Sequence, residues 1–88
     1  MNKKRTSLEL IASILSTCKQ PTTKTRIMQK VYLSWQQTCY YTEELLKRHF
    51  IEKEGKIYLL TLLGREFEEG VETLFAIWNN EPAVMITA

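Results

Sequence analysis

Eighty-eight residues, 44% of them apolar, with a formal charge of +2, bound the protein to one domain with a thin core. A core this small invites help from a partner subunit or a covalent staple. No apolar run approaches the roughly 18 residues that a membrane span needs, and Met1-Asn2-Lys3-Lys4-Arg5 passes straight into an amphipathic segment without a signal-peptide core. No membrane association and an intracellular, cytoplasmic location are therefore expected. There is no internal repeat and no low-complexity segment.

Residues 7–18 place Leu8, Ile11, Ile14, Leu15 and Cys18 on one helical face. Pro21 then excludes helical geometry at Gln20 and separates this helix from the next. Thr22 or Thr23 caps a helix over Lys24–Val31, because a threonine oxygen accepts from an otherwise unpaired first-turn amide. Ile27 and Val31 share its inner face, with Met28 beside them. Only Tyr32 and Leu33 remain for a turn. Ser34-Trp35-Gln36-Gln37 is a capping-box pattern, serine and glutamine each serving a free amide of a new helix.

From Ser34 to His49 the spacing of three and four puts Thr38, Tyr41, Thr42, Leu45, Leu46 and His49 on the buried face. Gln36, Gln37, Tyr40, Glu43, Glu44 and Lys47 then face outward. Residues 51–60 have apolar ends and a centre containing Gly55, the signal of a β-hairpin. Thr61 caps a long helix to about Asn79, with Leu63, Phe67, Val71, Leu74, Phe75 and Trp78 along one stripe. Gly70 inside it costs about 1 kcal/mol relative to alanine and leaves room for another backbone.

Helix, helix, tight turn, helix, ribbon and long helix make a mainly α chain with a small β-ribbon. That order is a winged helix-turn-helix with a long carboxy-terminal helix. The domain is expected over residues 1–80, with 61–79 as a dimerisation helix and 81–88 as an apolar tail. The tail has three outcomes open to it: strand pairing, packing on a partner subunit, or fraying.

The motifs also resemble a known group. Lys24-Thr25-Arg26-Ile27-Met28, Leu33-Ser34, Phe50-Ile51-Glu52 and Tyr58-Leu59-Leu60-Thr61-Leu62-Leu63-Gly64-Arg65 are similar, in order and spacing, to the small winged helix-turn-helix DNA-binding proteins of archaea and their viruses. The resemblance spans roughly residues 6–78 and extends, more loosely, to dimeric repressors of the multiple-antibiotic-resistance type. One departure stands out: His49-Phe50 occupies the place where the group has a glycine before its apolar pair.

Charge is divided along the chain. Residues 1–60 carry eleven Lys/Arg against five Glu, a net +6, while residues 61–88 carry Arg65 against five Glu, a net −4. The basic part coincides with the helix-turn-helix and wing, where cations displace counterions from phosphates. The acidic part is expected to face away from DNA. Ser34, Trp35, Gln36, Gln37 and Tyr40 are the candidate base-reading residues, since the start of the recognition helix meets base edges. Gln36 and Gln37 have the amide geometry for adenine. Lys24, Thr25, Arg26, Lys30 and Lys47, with Lys53 and Lys56 on the wing, are the candidate backbone contacts.

The expected partners are double-stranded DNA and a second copy of the chain, joined through Leu8, Val71, Leu74, Phe75 and Trp78, because three short helices and a ribbon cannot cover the whole apolar stripe. The competing outcome is a long helix that folds over its own core. No enzyme constellation, cofactor, small-molecule ligand or metal set is evident: one histidine, His49, and two cysteines, Cys18 and Cys39, form no complete zinc site. The glutamates are placed on surface faces. The rival functional class is a winged helix that docks a protein through Trp35 and Tyr40. Free thiols are the ordinary state of an intracellular protein, but the archaeal resemblance implies hosts where intracellular disulfides occur, so a bridge within the chain or between subunits is also open.

Overall fold

The computed structural model describes residues 6–79. Every helix in it opens on a hydroxyl. Thr6 caps α1 (Ser7–Thr17) in a capping box: it accepts from the Glu9 amide at 3.1 Å, and the Glu9 carboxylate accepts from the Thr6 amide at 2.9 Å. Thr23 caps α2 (Lys24–Val31) by accepting from the Arg26 amide at 3.2 Å. Ser34 and Gln37 form the expected reciprocal pair, both at 3.0 Å, at the head of α3 (Trp35–Lys47). Thr61 caps α4 (Leu62–Trp78), accepting from the Gly64 amide at 2.9 Å. Thr22, the other residue of β1 (Thr22–Thr23), is buried and is not the cap.

The ribbon has three strands rather than two. β2 (Ile51–Glu54) and β3 (Ile57–Leu60) form the hairpin, closed at Gly55 with φ +60°, and β1 pairs antiparallel with the other edge of β3, giving the order β1-β3-β2. The register sets Thr22 opposite Tyr58, Lys53 opposite the same Tyr58, and Ile51 opposite Leu60.

Two residues other than glycine carry the left-handed turns that end α2 and α3. Tyr32, at φ 61°, lets the Leu33 amide reach the Met28 carbonyl at 3.0 Å. His49, at φ 62°, sends its own amide to Leu46 and the next amide, of Phe50, to Leu45, both at 3.0 Å. This is a Schellman ending. His49 therefore lies past the helix and is exposed, not on its inward face. Its left-handed φ is one that glycine adopts most readily.

Leu10, Ile14, Leu15 and Cys18 of α1, Ile27 and Val31 of α2, Leu33, Leu45 of α3, and Ile51 and Tyr58 of the sheet form the buried cluster. Leu10 joins the core while Leu8 and Ile11 are only half-buried, so the apolar face of α1 is turned slightly from the one expected. α4 departs further. It packs on α1, buries Gly64, Glu68 and Val71, and leaves Leu63 at 50%, Leu74 at 59% and Trp78 at 83% exposure. Val71 is thereby buried within its own chain, and Phe75 is half-buried. Gly64 sets this rotation, because a Cβ there would sit 2.0 Å from the Phe50 carbonyl oxygen.

Glu68 is not a surface glutamate. It is buried, 3.3 Å from the Lys19 ammonium, and its carboxyl lies above the usual carboxylate range because burial penalises the charge and Glu72 adds to the penalty, with Lys19 opposing both. The two cysteines are free thiols. Cys18 is enclosed in the core, where loss of water pushes its pKa up to about 12, and Cys39 is half-buried on α3 beside Lys24, so no bridge within the chain forms. No helix among the described residues is long and apolar enough to cross a membrane. The expected tail, residues 81–88, lies outside the described residues.

These turns predict opposite effects for two glycine exchanges. Gly64→Ala forces a methyl into the Phe50 carbonyl and should cost about 3 kcal/mol or more in denaturant unfolding. His49→Gly relieves a left-handed residue whose side chain is exposed and should add about 1 kcal/mol. A neutral Gly64→Ala would contradict the packing of α4.

Candidate nucleic-acid interface

α2, the Tyr32-Leu33 turn and α3 form the helix-turn-helix, with α3 presenting an outward ridge. Gln36, Tyr40, Glu43 and Lys47 follow one another along it at helical spacing, and all four are exposed. Trp35 lies on the flank toward α2, half in solvent at 52% exposure, with the Lys24 ammonium 5.4 Å from its ring centre. A lysine over an indole face is a cation–π contact, so Trp35 holds Lys24 beside the start of α3. The same ammonium is 3.8 Å from the Cys39 sulfur.

Gln36 and Gln37 are not equivalent. The Gln37 side-chain oxygen accepts from the Ser34 amide, so its carboxamide already serves the helix cap, while Gln36 has no such engagement. Bidentate adenine recognition needs both ends of an amide at once. Gln36 retains both. Tyr40, the other ring at this surface, is 59% exposed and meets Tyr41 edge-on, with ring centres 5.2 Å apart.

Between the start of α2, the start of α3 and the wing lies a recess of about 370 Å³. Lys24, Thr25 and Trp35 line one side, and Lys53, Lys56 and Tyr58 the other. The wing contributes cations to it selectively. Because successive strand residues alternate faces, Lys53 falls on the same face as Tyr58, with its ammonium 5.7 Å from that ring, while Glu52 and Glu54 fall on the other face. Three lysines and no acid therefore line the recess. Tyr58, which forms part of its lining, was not singled out from sequence; its role depends on the register of the ribbon, which fixes which residue Lys53 opposes.

The expected backbone contacts separate into two groups. Lys24 and Thr25 line the recess, with Lys53 and Lys56. Arg26 and Lys30 instead line a different recess with Gln20 and Thr22. Each residue advances about 100° around a helix, so neighbours such as Thr25 and Arg26 are sent to different flanks. Lys47 is 3.5 Å from Glu44, which also binds Arg48, the residue that caps the end of α3. The Arg48 guanidinium, first, and then Lys47 hold the Glu44 carboxyl below its usual range. Among the described residues no group of three or more His, Cys, Asp or Glu is placed to hold a metal ion.

Comparison with known proteins agrees with this architecture. A winged helix-turn-helix family model matches residues 4–78. Over 80 residues the chain is 35% identical to an uncharacterized protein of Methanocaldococcus jannaschii, covering 90% of this chain and 82% of that relative. Its fold is similar to the crystal structure of Sso10a-2, described as a DNA-binding protein from Sulfolobus solfataricus, with a TM-score of 0.77 and 24% identity across 86% of this chain and 84% of that one. The match over nearly the whole chain, together with the helix-turn-helix and three-stranded wing, means that this chain belongs to the winged helix-turn-helix family.

Proposed function

We propose that the protein binds double-stranded DNA as a homodimer, places α3 in the major groove and regulates transcription. The observation that carries this reading is the acid-free recess of Lys24, Lys53 and Lys56 beside the exposed Gln36 on α3. Lysines on both the helix-turn-helix and the wing grip phosphates on the two sides of a groove, and an unengaged carboxamide between them reads a base edge. Ser34 and Gln37 hold the first turn of α3 in place, while Trp35 and Tyr40 pack on sugar or a thymine methyl. Sso10a-2, which shares the fold and is described as DNA-binding, supports the same reading. Lys47, paired with Glu44, is a weaker phosphate contact than the lysines of the recess.

Dimerisation rests on α4. With Val71 turned inward, Leu63, Gly70, Leu74 and Ile77 remain exposed along one flank at steps of seven, four and three, the seam of a helix pair, with half-buried Phe67, stacked on Phe50, at its edge. Among the described residues nothing beyond the helix's own backbone lies within 4 Å of a Cβ built on Gly70, so a second backbone can approach there. Trp78 borders the seam, and Leu8 and Phe75, both half-buried, are its candidate margins. The domain thus extends through α4, as the dimerising element, and exposed Glu66, Glu69 and Glu72 keep that helix clear of phosphates.

Selection of bound sequences from a random duplex pool, followed by affinity measurement, tests the reading helix. Gln36→Ala should lose about 1–3 kcal/mol on the selected site and little on random DNA. Gln37→Ala should instead lower helix stability by about 1 kcal/mol and weaken both DNAs alike. Equal behaviour of the two variants would sink the distinction between them.

Sedimentation tests the dimer. Leu74→Glu, at a position already more than half exposed, should leave the fold intact and shift the protein toward monomer, with weaker binding to a duplex carrying two half-sites. A wild-type protein that sediments as a monomer at micromolar concentration would refute the assembly.

A further inference from the structure

Tyr32 is the most exposed aromatic side chain among the described residues, at 85%, and it stands where the backbone has no use for a ring. Its φ of 61° and ψ of 52° are left-handed, a conformation that glycine adopts without steric cost and a bulky residue rarely does. The end of α2 employs only main-chain groups there: the Tyr32 and Leu33 amides both reach the Met28 carbonyl. Glycine would make the same two bonds. Among the described residues no ring stacks on Tyr32, no ammonium lies over it and its hydroxyl has no hydrogen-bond partner. The side chain therefore serves neither the turn nor the core.

The ring borders a recess of about 360 Å³ whose other walls are Arg26, Gln29 and Lys30. Residues three and four apart share a helix face, so α2 presents these three exposed side chains together. No acid lines the recess, and neither cation forms an ion pair with a described residue. Its lining shares no residue with the recess between α2, α3 and the wing. Two cations alone would suit any phosphate, and the ring narrows the choice. A duplex turns its phosphates outward and keeps its base faces stacked inside, so an aromatic side chain on an outer flank meets nothing flat on it. An unpaired nucleotide exposes a π-face and a phosphate together. The Tyr32 ring complements the first, the Arg26 fork and the Lys30 point charge complement the second, and the Gln29 carboxamide offers a donor and an acceptor to a base edge.

We infer that Tyr32, Arg26, Lys30 and Gln29 form a binding site for single-stranded DNA, with an unpaired base stacked on the Tyr32 ring and adjoining phosphates on the two cations. The choice of DNA over RNA rests on the proposed duplex role of α3, since a duplex held there brings its own unpaired strand within reach at high effective concentration. The stacking site itself is independent of that role.

Fluorescence anisotropy of a labelled oligothymidylate of about twelve nucleotides, titrated with the full chain, tests this. Tyr32→Gly and Tyr32→Asn, two residues that tolerate the left-handed turn, should keep the unfolding temperature at or above that of wild type. Both should weaken oligonucleotide binding about tenfold, while Tyr32→Phe, which keeps the ring, binds as wild type does. Arg26→Ala and Lys30→Ala should each make the salt dependence shallower by about 0.7 in log K against log salt. In nuclear magnetic resonance spectra the Tyr32 ring protons should move upfield on stacking, which a purely electrostatic contact does not produce. Tyr32→Gly should leave duplex affinity unchanged, and Lys24→Ala combined with Lys53→Ala should weaken duplex binding far more than oligonucleotide binding, so the two surfaces fail separately. Equal oligonucleotide affinity of Tyr32→Gly and wild type, or an equal loss of both DNAs in the double lysine variant, would overturn the site. Tighter binding of the matching RNA oligonucleotide would overturn its assignment to DNA.

Discussion

The orientation of every functional element depends on one corner, where the end of α3 meets the start of α4. The Phe50 carbonyl accepts from the Thr61 amide at 3.1 Å, the Thr61 hydroxyl donates to the His49 carbonyl at 2.6 Å, and the missing side chain of Gly64 lets α4 lie directly against that same Phe50 carbonyl. The Phe50 ring then stacks on Phe67, with centres 4.7 Å apart. Residues 51–60 leave and return through this corner as the hairpin, so it closes the wing at its base. Because the contacts are backbone-directed and close, they admit little rotation. α3, the wing and α4 are fixed to one another by a few ångströms of packed backbone.

That rigidity gives the charge distribution its meaning. The ribbon alternates, so its lysine at position 53 turns toward the helix-turn-helix and its glutamates at 52 and 54 turn away. A small net charge of +2 therefore combines a basic stretch, residues 1–60 at net +6, with an acidic one, residues 61–88 at net −4. Within α2 the division is finer still: Lys24 lines one recess, and Arg26 and Lys30 line another.

Much of this was legible because helix starts are written in local chemistry. The hydroxyls of Thr23, Ser34 and Thr61 announce their helices within three residues of sequence, and the structure uses each of them. The hairpin around Gly55 is local in the same sense. What stayed hidden depends on distant partners. β1 is two residues long, too short for any period, and exists only because β3 offers an edge. α4 is apolar on more than one side, so periodicity alone could not choose between the flank of Val71 and that of Leu74; the choice is made by Gly64 against a carbonyl fourteen residues earlier. Glu68 looked like surface because its counterion, Lys19, lies at the far end of another helix. The split of Arg26 from Lys24 was available from the helical wheel, but the two recesses that give it significance are tertiary. The assignment of Gln37 to base reading competed with its own capping role, and the geometry shows it engaged in the cap.

The central claim is that the face formed by α3, the start of α2 and the wing holds duplex DNA through its lysines. The most direct measurement is the affinity for a random duplex across a range of salt concentrations, for wild type and for Lys24→Ala combined with Lys53→Ala. Each phosphate neutralised contributes a slope of about −0.9 to log K against log salt. The wild type should therefore lose affinity steeply with salt, and the double variant should bind more weakly with a slope shallower by about 2. Affinity that is insensitive to salt, or a slope unchanged by removing both lysines, would contradict the account.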